Sequence, residues 1–245
     1  SCATARCEGR HIVLDCANGA ASGIAETVFR ALGAKVSVTG SEPNGLNINA
    51  GCGSTHPERL QALVRAVGGD VGFAFDGDAD RVIACDEAGG QIDGDRIMGM
   101  CARHLKECGK LAANTLVLTV MSNLGLKKRM EEIGVHVEET IVGDRYVMER
   151  MRAGGFALGG EQSGHIIFLD LNTTGDGILT AIQVMNILCE KNEAMSALAA
   201  EVPTYPQVLV NVVLDPRDKE AALADARLKE CIEQASQALG RAGRV

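Results

Sequence analysis

Short apolar runs alternating with amphipathic stretches are the feature that most restricts this chain. Residues 11–16 (His-Ile-Val-Leu-Asp-Cys) read as a buried strand, and Ala17-Asn18-Gly19-Ala20 as a turn. A helix follows, with Ile24, Val28 and Leu32 on one face and Gly33 as its stop, and a second strand spans 35–39. Strand, helix and strand in that order predict a parallel pair with a crossover. The alternation continues through a helix opened by Pro57, strands at 71–75 and 82–86, and a helix over 96–107 capped at Asp93-Gly94-Asp95. A second cycle runs from a strand at 115–119 through a helix to Ile133, a strand at 135–139 and a helix opened by 142–147. Short strands at 155–158 and 166–169 come next. A long helix after Gly177 then carries Ile178, Ala181, Ile182, Met185 and Leu188 as an apolar stripe. The two halves share this alternation but little sequence, so the repeat is one of fold.

Between the strands at 71–75 and 82–86 lies Asp76-Gly77-Asp78-Ala79-Asp80-Arg81. Three carboxylates at alternate positions of a tight turn repel one another unless a cation neutralises them. The donors are hard oxygens with no His among them, which favours Mg²⁺, Mn²⁺ or Ca²⁺ over Zn²⁺. Gly77 is expected to permit the turn, small Ala79 to leave room for an ion, and Arg81 to offset charge or reach a phosphate. Three other readings exist. Asp-Gly is a common hairpin turn. Asp76, Asp78, Asp80 and Glu87 fit an EF-hand's spacing, but Arg81 stands where that loop needs Gly and the flanks read as strands. A haloacid-dehalogenase-type phosphatase also puts Asp-x-Asp after a strand, yet Asp80 occupies the position of its Thr or Val.

Composition narrows the class. The 245 residues are 46% hydrophobic and 23% charged, as in globular proteins, and the net charge of −8 gives no footprint for nucleic acid or an anionic membrane. No apolar run approaches the ~18 residues of a membrane helix. Nine Cys without a Cys-x-x-Cys pair fit a reducing cytoplasm, where most serve as small buried hydrophobes. With two Tyr, five Phe and no Trp, there is little for bases to stack on.

Two further stretches carry chemistry. Residues 40–56 form a long polar loop rich in Gly and Asn, of the kind that is usually functional or mobile. The turn at Asn18-Gly19 can bind phosphate, but the structural reading is favoured. In Gly160-Glu161-Gln162-Ser163-Gly164-His165, Glu161 accepts hydrogen bonds, Ser163 gives and accepts them, and His165 can carry a proton near neutral pH. These groups suit sugar hydroxyls, whereas a plain polar hairpin is the simpler alternative. After Pro203 and Pro206, a near-alternating strand at 208–214 and a helix over 218–239 are too little to enclose a core and read as a third domain cut short.

The acidic hexapeptide closely resembles the metal loop of the alpha-D-phosphohexomutases, and Gly160–His165 resembles their sugar-binding loop in the expected order. Glu42-Pro43-Asn44-Gly45-Leu46-Asn47-Ile48-Asn49, Met121-Ser122-Asn123 and Val142-Gly143-Asp144-Arg145-Tyr146-Val147 are similar to the bacterial phosphoglucosamine mutase branch. The resemblance spans nearly the whole chain. It implies two consecutive three-layer α/β/α domains with mixed sheets, at 1–96 and 97–206, and the start of an α+β third at 207–245. Asp76, Asp78 and Asp80 would be Mg²⁺ ligands, with Arg81 near the transferring phosphoryl group. Glu161 and Ser163 would hold sugar hydroxyls, His165 would lie at the reacting end, and Arg145 would belong to a closing loop.

The implied reaction interconverts glucosamine 6-phosphate and glucosamine 1-phosphate through a phosphoserine, in the cytoplasm. Phosphomannomutase or phosphoglucomutase activity is the nearest alternative; a Mg²⁺-dependent sugar-phosphate phosphatase or a non-catalytic binding remnant represents another class. A homodimer is compatible with the sequence. Neither a Ser-His-Asn-Pro-type phosphoserine loop nor an Arg-x-Ser-Gly-Thr-Glu-type phosphate loop occurs in the chain. The expectation is therefore a fragment that does not turn over by itself. The metal loop also ends Asp-Ala-Asp where Asp-Gly-Asp is commoner in this branch, a change expected to leave the ligands intact.

Overall fold

The computed structural model describes residues 6–240 except 209 and 211, together with 243 and 245. They form two compact units, Ser1–Thr204 and Tyr205–Val245. In the first unit β1 (His11–Asp15), α1 (Ala25–Ala31), β2 (Lys35–Thr39), α2 (Glu58–Val67), β3 (Val71–Phe75), β4 (Val82–Asp86) and β5 (Gln91–Ile92) build a sheet of order β2-β1-β3-β4-β5. A second series follows: α3 (Gly94–Glu107), β6 (Thr115–Thr119), α4 (Leu124–Glu132), β7 (His136–Thr140), α5 (Asp144–Gly154), β8 (Leu158–Gly160) and β9 (Ile166–Phe168). Its sheet has order β7-β6-β8-β9, and α6 (Gly177–Lys191) and α7 (Met195–Ala200) close the unit.

The sheets share one topology. β1 pairs in parallel with β2 and β3, as β6 does with β7 and β8. The next strand is antiparallel in each, β4 on β3 and β9 on β8. Loop length decides this: residues 76–81 and 161–165 are too few for a crossover, so each must form a hairpin. Both chemically rich loops therefore occupy the same place in the repeat, at the carboxyl end of a parallel strand. The fold is the expected α/β class with mixed sheets.

α6 packs on β3, β4 and β9, and α3 on β4 and β8, so both sheets feed one apolar cluster. Within it Phe29 of α1 and Phe73 of β3 stack with centroids 6.0 Å apart. Smaller clusters cover the opposite faces. Leu60 and Val64 of α2 lie against Val13, Ala74 and Cys85, while Val147 and Met151 of α5 lie with Val117, Phe156 and Ile167. Helices thus cover both faces of each sheet. Phe73 is wholly buried, so Phe73→Ala is expected to lower stability by about 3–5 kcal/mol in a denaturant titration.

The structure adjusts several sequence expectations. The strand expected at 155–158 begins instead at Leu158, because Gly155 is the left-handed cap of α5 with φ 64°. β5 and α7 are additions. In the second unit the helix expected over 218–239 is two, α8 (Lys219–Ala224) and α9 (Ala226–Leu239). Asp225 takes ψ 126° between them, and its carboxylate accepts the Arg227 and Leu228 N–H groups as the cap of α9. Of the strand expected at 208–214, residues 209 and 211 lie outside the described residues, and 208, 210 and 212–214 carry no strand. Among the described residues this unit offers them no second strand to pair with. No helix among the described residues is long and apolar enough to cross a membrane.

Candidate active site

The β3–β4 hairpin holds one carboxylate oxygen from each of Asp76, Asp78 and Asp80 within 4.8 Å of the others. The backbone produces this by an arrangement the sequence did not suggest. The left-handed residue is Ala79, at φ 63°, a conformation that costs a non-glycine residue about 1 kcal/mol. Gly77 does not supply positive φ; a Cβ there would meet the Ile48 side chain at 2.7 Å and Asn49 Nδ2 at 2.9 Å. Gly77 is small so that the polar loop at 40–56 can lie against the hairpin. Asn18 holds that loop, accepting the Glu42 N–H at 3.1 Å and donating to Asn47 O at 3.3 Å.

Charge is the dominant fact of the loop. Asp76 Oδ1 accepts the Arg81 N–H at 3.2 Å, and Arg81 Nε lies 3.8 Å from both Asp76 and Asp80. Burial, with Asp80 and Asp78 alongside, still pushes the Asp76 carboxyl up to about 6. The Gly177 N–H, at the start of α6, donates to Ala79 O at 2.8 Å, so a partially positive helix end also faces the loop. One guanidinium and one helix end do not neutralise three carboxylates. The all-oxygen donor set and its spacing fit a hard divalent cation.

The second hairpin tip meets the first. Arg81 and His165 form an antiparallel bridge, and the Val82 N–H donates to Gly164 O at 3.1 Å. The His165 ring is 3% exposed, lies against Gly175, and has Nε2 3.6 Å from Asp80 Oδ2. Glu161 Oε1 accepts the Gly143 N–H at 3.0 Å, which ties this tip to the start of α5. Ser163 is exposed. Asp76, Asp78, Asp80, Arg81 and His165 are thus brought together, with Glu161 and Ser163 in the adjoining loop. Arg145 stands apart: its guanidinium is on the surface, paired with Glu149 at 2.8 Å.

Comparison with known proteins identifies the family. The model of phosphoglucomutase/phosphomannomutase alpha/beta/alpha domain II matches residues 1–90, and that of domain III matches residues 93–205. The chain belongs to this family. A relative from Shouchella clausii (strain KSM-K16), called phosphoglucosamine mutase, is 54% identical over 97% of this chain and 53% of its own length. The chain therefore spans about half the length of the relatives it matches. A phosphoglucomutase/phosphomannomutase family protein from Burkholderia thailandensis is 29% identical with a TM-score of 0.71, over 80% of this chain and 43% of that one. The Aspergillus fumigatus N-acetylphosphoglucosamine mutase, solved with GlcNAc-6P and magnesium, shares the fold at 20% identity and a TM-score of 0.66, over 81% of this chain and 50% of its own.

One residue near the second hairpin does more than the cap the sequence suggested. Asp95, in the first turn of α3, is 2% exposed and accepts the Asn123 N–H at 2.6 Å. It anchors the Met121-Ser122-Asn123 turn, while Asp93 alone caps the helix by accepting the Arg96 N–H. An acid beside another acid at a helix start gives no signal for such a distant bond. Burial pushes Asp95, like Asp76, from 3.8 up to about 6. Between those values the folded chain holds protons that the unfolded chain has released. Stability of the metal-free protein is therefore greatest below pH 3.8 as far as these groups are concerned, and their contribution is lost as pH rises through about 6. Asp95→Asn is expected to remove on the order of 3 kcal/mol of that pH dependence, measured by denaturation at a series of pH values.

Proposed function

We propose that this chain supplies the metal-binding and sugar-binding parts of a phosphoglucosamine mutase. The mutase would interconvert glucosamine 6-phosphate and glucosamine 1-phosphate in the cytoplasm. The single observation that carries the reading is the Arg81–His165 bridge, which sets the acid triad beside Glu161-Gln162-Ser163. The 54% identity to a protein called phosphoglucosamine mutase supports the choice of sugar. The proposed division is 1–96 for the metal loop, 97–206 for the sugar loop and 207–245 for the start of a further domain, and the whole enzyme is proposed to act as a homodimer.

In this reading Asp76, Asp78 and Asp80 hold Mg²⁺, which when bound supplies a Lewis acid for the phosphoryl oxygens. Phosphoryl transfer depends mainly on positioning and charge neutralisation, so little covalent chemistry falls to these residues. Arg81 adds a positive charge where the transferring group sits. Glu161 and Ser163 orient the sugar hydroxyls, and Arg145, released from Glu149, reaches the substrate as the α5 loop closes. His165, with its ring against Asp80, is the candidate to hold or move the proton of the reacting hydroxyl. The phosphoryl group passes from a serine to one hydroxyl, and the bisphosphorylated sugar returns its other phosphate to that serine. The sequence contains no Ser-His-Asn-Pro stretch, so the chain by itself is proposed to be inactive.

The test compares this chain with a version extended to the length of its relatives, each given glucosamine, mannose and glucose 6-phosphates with Mg²⁺. Mutase activity in the extended protein alone, with glucosamine preferred, is expected. Activity in the short chain, preference for another sugar, or release of free phosphate without isomerisation would each contradict a separate part of the proposal.

A further inference from the structure

We propose that His104, Cys108 and Glu190 form a second cation site, selective for a borderline metal of the Zn²⁺ class. Nothing in the proposed mutase reaction requires it. His104 lies in the last turn of α3, Cys108 is that helix's C-terminal cap, and Glu190 lies in the last turn of α6. One ligand atom from each falls within 4.8 Å of the other two. His104 Nε2 is 3.8 Å from Cys108 Sγ and 3.7 Å from Glu190 Oε2. These separations are close to those between ligands that share a tetrahedral ion with bonds of about 2.0–2.3 Å. The His104 Nδ1 atom is enclosed, so Nε2 is the nitrogen the ring offers.

Three physical arguments converge. First, the donor set is one imidazole, one thiol and one carboxylate, which suits Zn²⁺ and discriminates against Mg²⁺. The acid triad is the reverse, so one chain would sort two cations by donor softness. Second, charge balances: the Cys108 thiol gives its proton to solvent on binding, and thiolate plus carboxylate neutralise a divalent ion beside a neutral imidazole. Third, the last turns of α3 and α6 are joined here by the His104–Glu190 and Lys191–Glu107 pairs, and the partial negative charge of two helix ends favours a cation. The neighbouring cations are already engaged. Arg103 pairs with Glu107 and Glu201, and Lys191 pairs with Glu107. Among the described residues Glu190 pairs with His104 alone.

Three protein ligands leave a fourth position open to water. An ion there links the ends of α3 and α6, the two helices that pack on both sheets, so binding should stabilise the fold by linkage. The site is at the surface, so its variants are expected to fold.

The test uses the reduced chain with a non-thiol reductant and saturating Mg²⁺. Cys231, an exposed thiol, is replaced by Ser in every protein compared. Zn²⁺ is titrated in competition with a chromophoric chelator, and Co²⁺ is used as a spectroscopic probe. The expected result is one Zn²⁺ per chain, a raised Tm, and a cobalt–thiolate charge-transfer band. Cys108→Ser should abolish the band, and Cys108→Ser, His104→Ala and Glu190→Gln should each weaken Zn²⁺ binding by at least ~10-fold, the lower end of what an outer-shell partner alone contributes. No Zn²⁺ binding by the parent, an affinity unchanged from the parent in any of the three variants, or a band that survives in Cys108→Ser would overturn the proposal.

Discussion

Asp78→Asn is expected to weaken Mg²⁺ binding by about 100-fold, or ~3 kcal/mol, while leaving the metal-free protein as stable as before or slightly more so. The three acids differ in what else they do. Asp76 also accepts the Arg81 N–H, and Asp80 also faces Arg81 and His165. Asp78 is the exposed member of the triad, so its role in the apo fold is mainly repulsive. Removing one charge from three relieves the repulsion and removes a ligand at once. Calorimetric titration with Mg²⁺ reads the second effect and thermal denaturation without metal reads the first. Unchanged affinity would mean that the acids are a solvated turn, as the simplest sequence reading held.

Gly164→Ala is expected to lower stability by about 3 kcal/mol and, on the proposed function, to abolish binding of glucosamine phosphates. The residue has φ 97°, and a Cβ there would lie 2.3 Å from Val82 O. That oxygen belongs to the other hairpin, whose Val82 N–H donates back to Gly164 O. The substitution must therefore strain its own backbone or push the two tips apart. Gly155→Ala is the control: its φ is 64° but no atom lies within 4 Å of an added Cβ, so it carries only the strain, about 1 kcal/mol. Mg²⁺ binding should survive in the folded fraction of Gly164→Ala, because the triad lies in a single hairpin. Equal losses in the two glycine variants would show that the tips do not depend on close contact.

The acid triad could be read from sequence because its three acids are close in the chain and their repulsion is a local fact. The Gly160–His165 loop could be read by residue type, and the α/β alternation by period. The contact between loops was hidden, since no local pattern announces that Arg81 will bridge His165. The same holds for Asp95, whose partner Asn123 lies in another element, and for Gly77, whose smallness answers to Ile48 and Asn49 and not to its own dihedral angles. Ala79 is a different case. Its left-handed conformation sits at the one position where the sequence departs from the commoner Asp-Gly-Asp, so the departure was visible but its strain was not. Asp225 illustrates how a single cap overrides helix propensity: the surrounding Ala, Lys and Glu favour one helix, yet its carboxylate finds two free N–H groups by breaking it.

If the proposed function holds, the two hairpin tips form one site around a cation held by the triad. The most direct measurement is the backbone amide spectrum of this chain during a titration with Mn²⁺, a paramagnetic substitute for Mg²⁺. Selective broadening of residues 76–82 together with Gly164 and His165, abolished by Asp78→Asn and reversed by excess Mg²⁺, is the predicted result. Broadening confined to 76–82, or spread over surface acids remote from both tips, would contradict it.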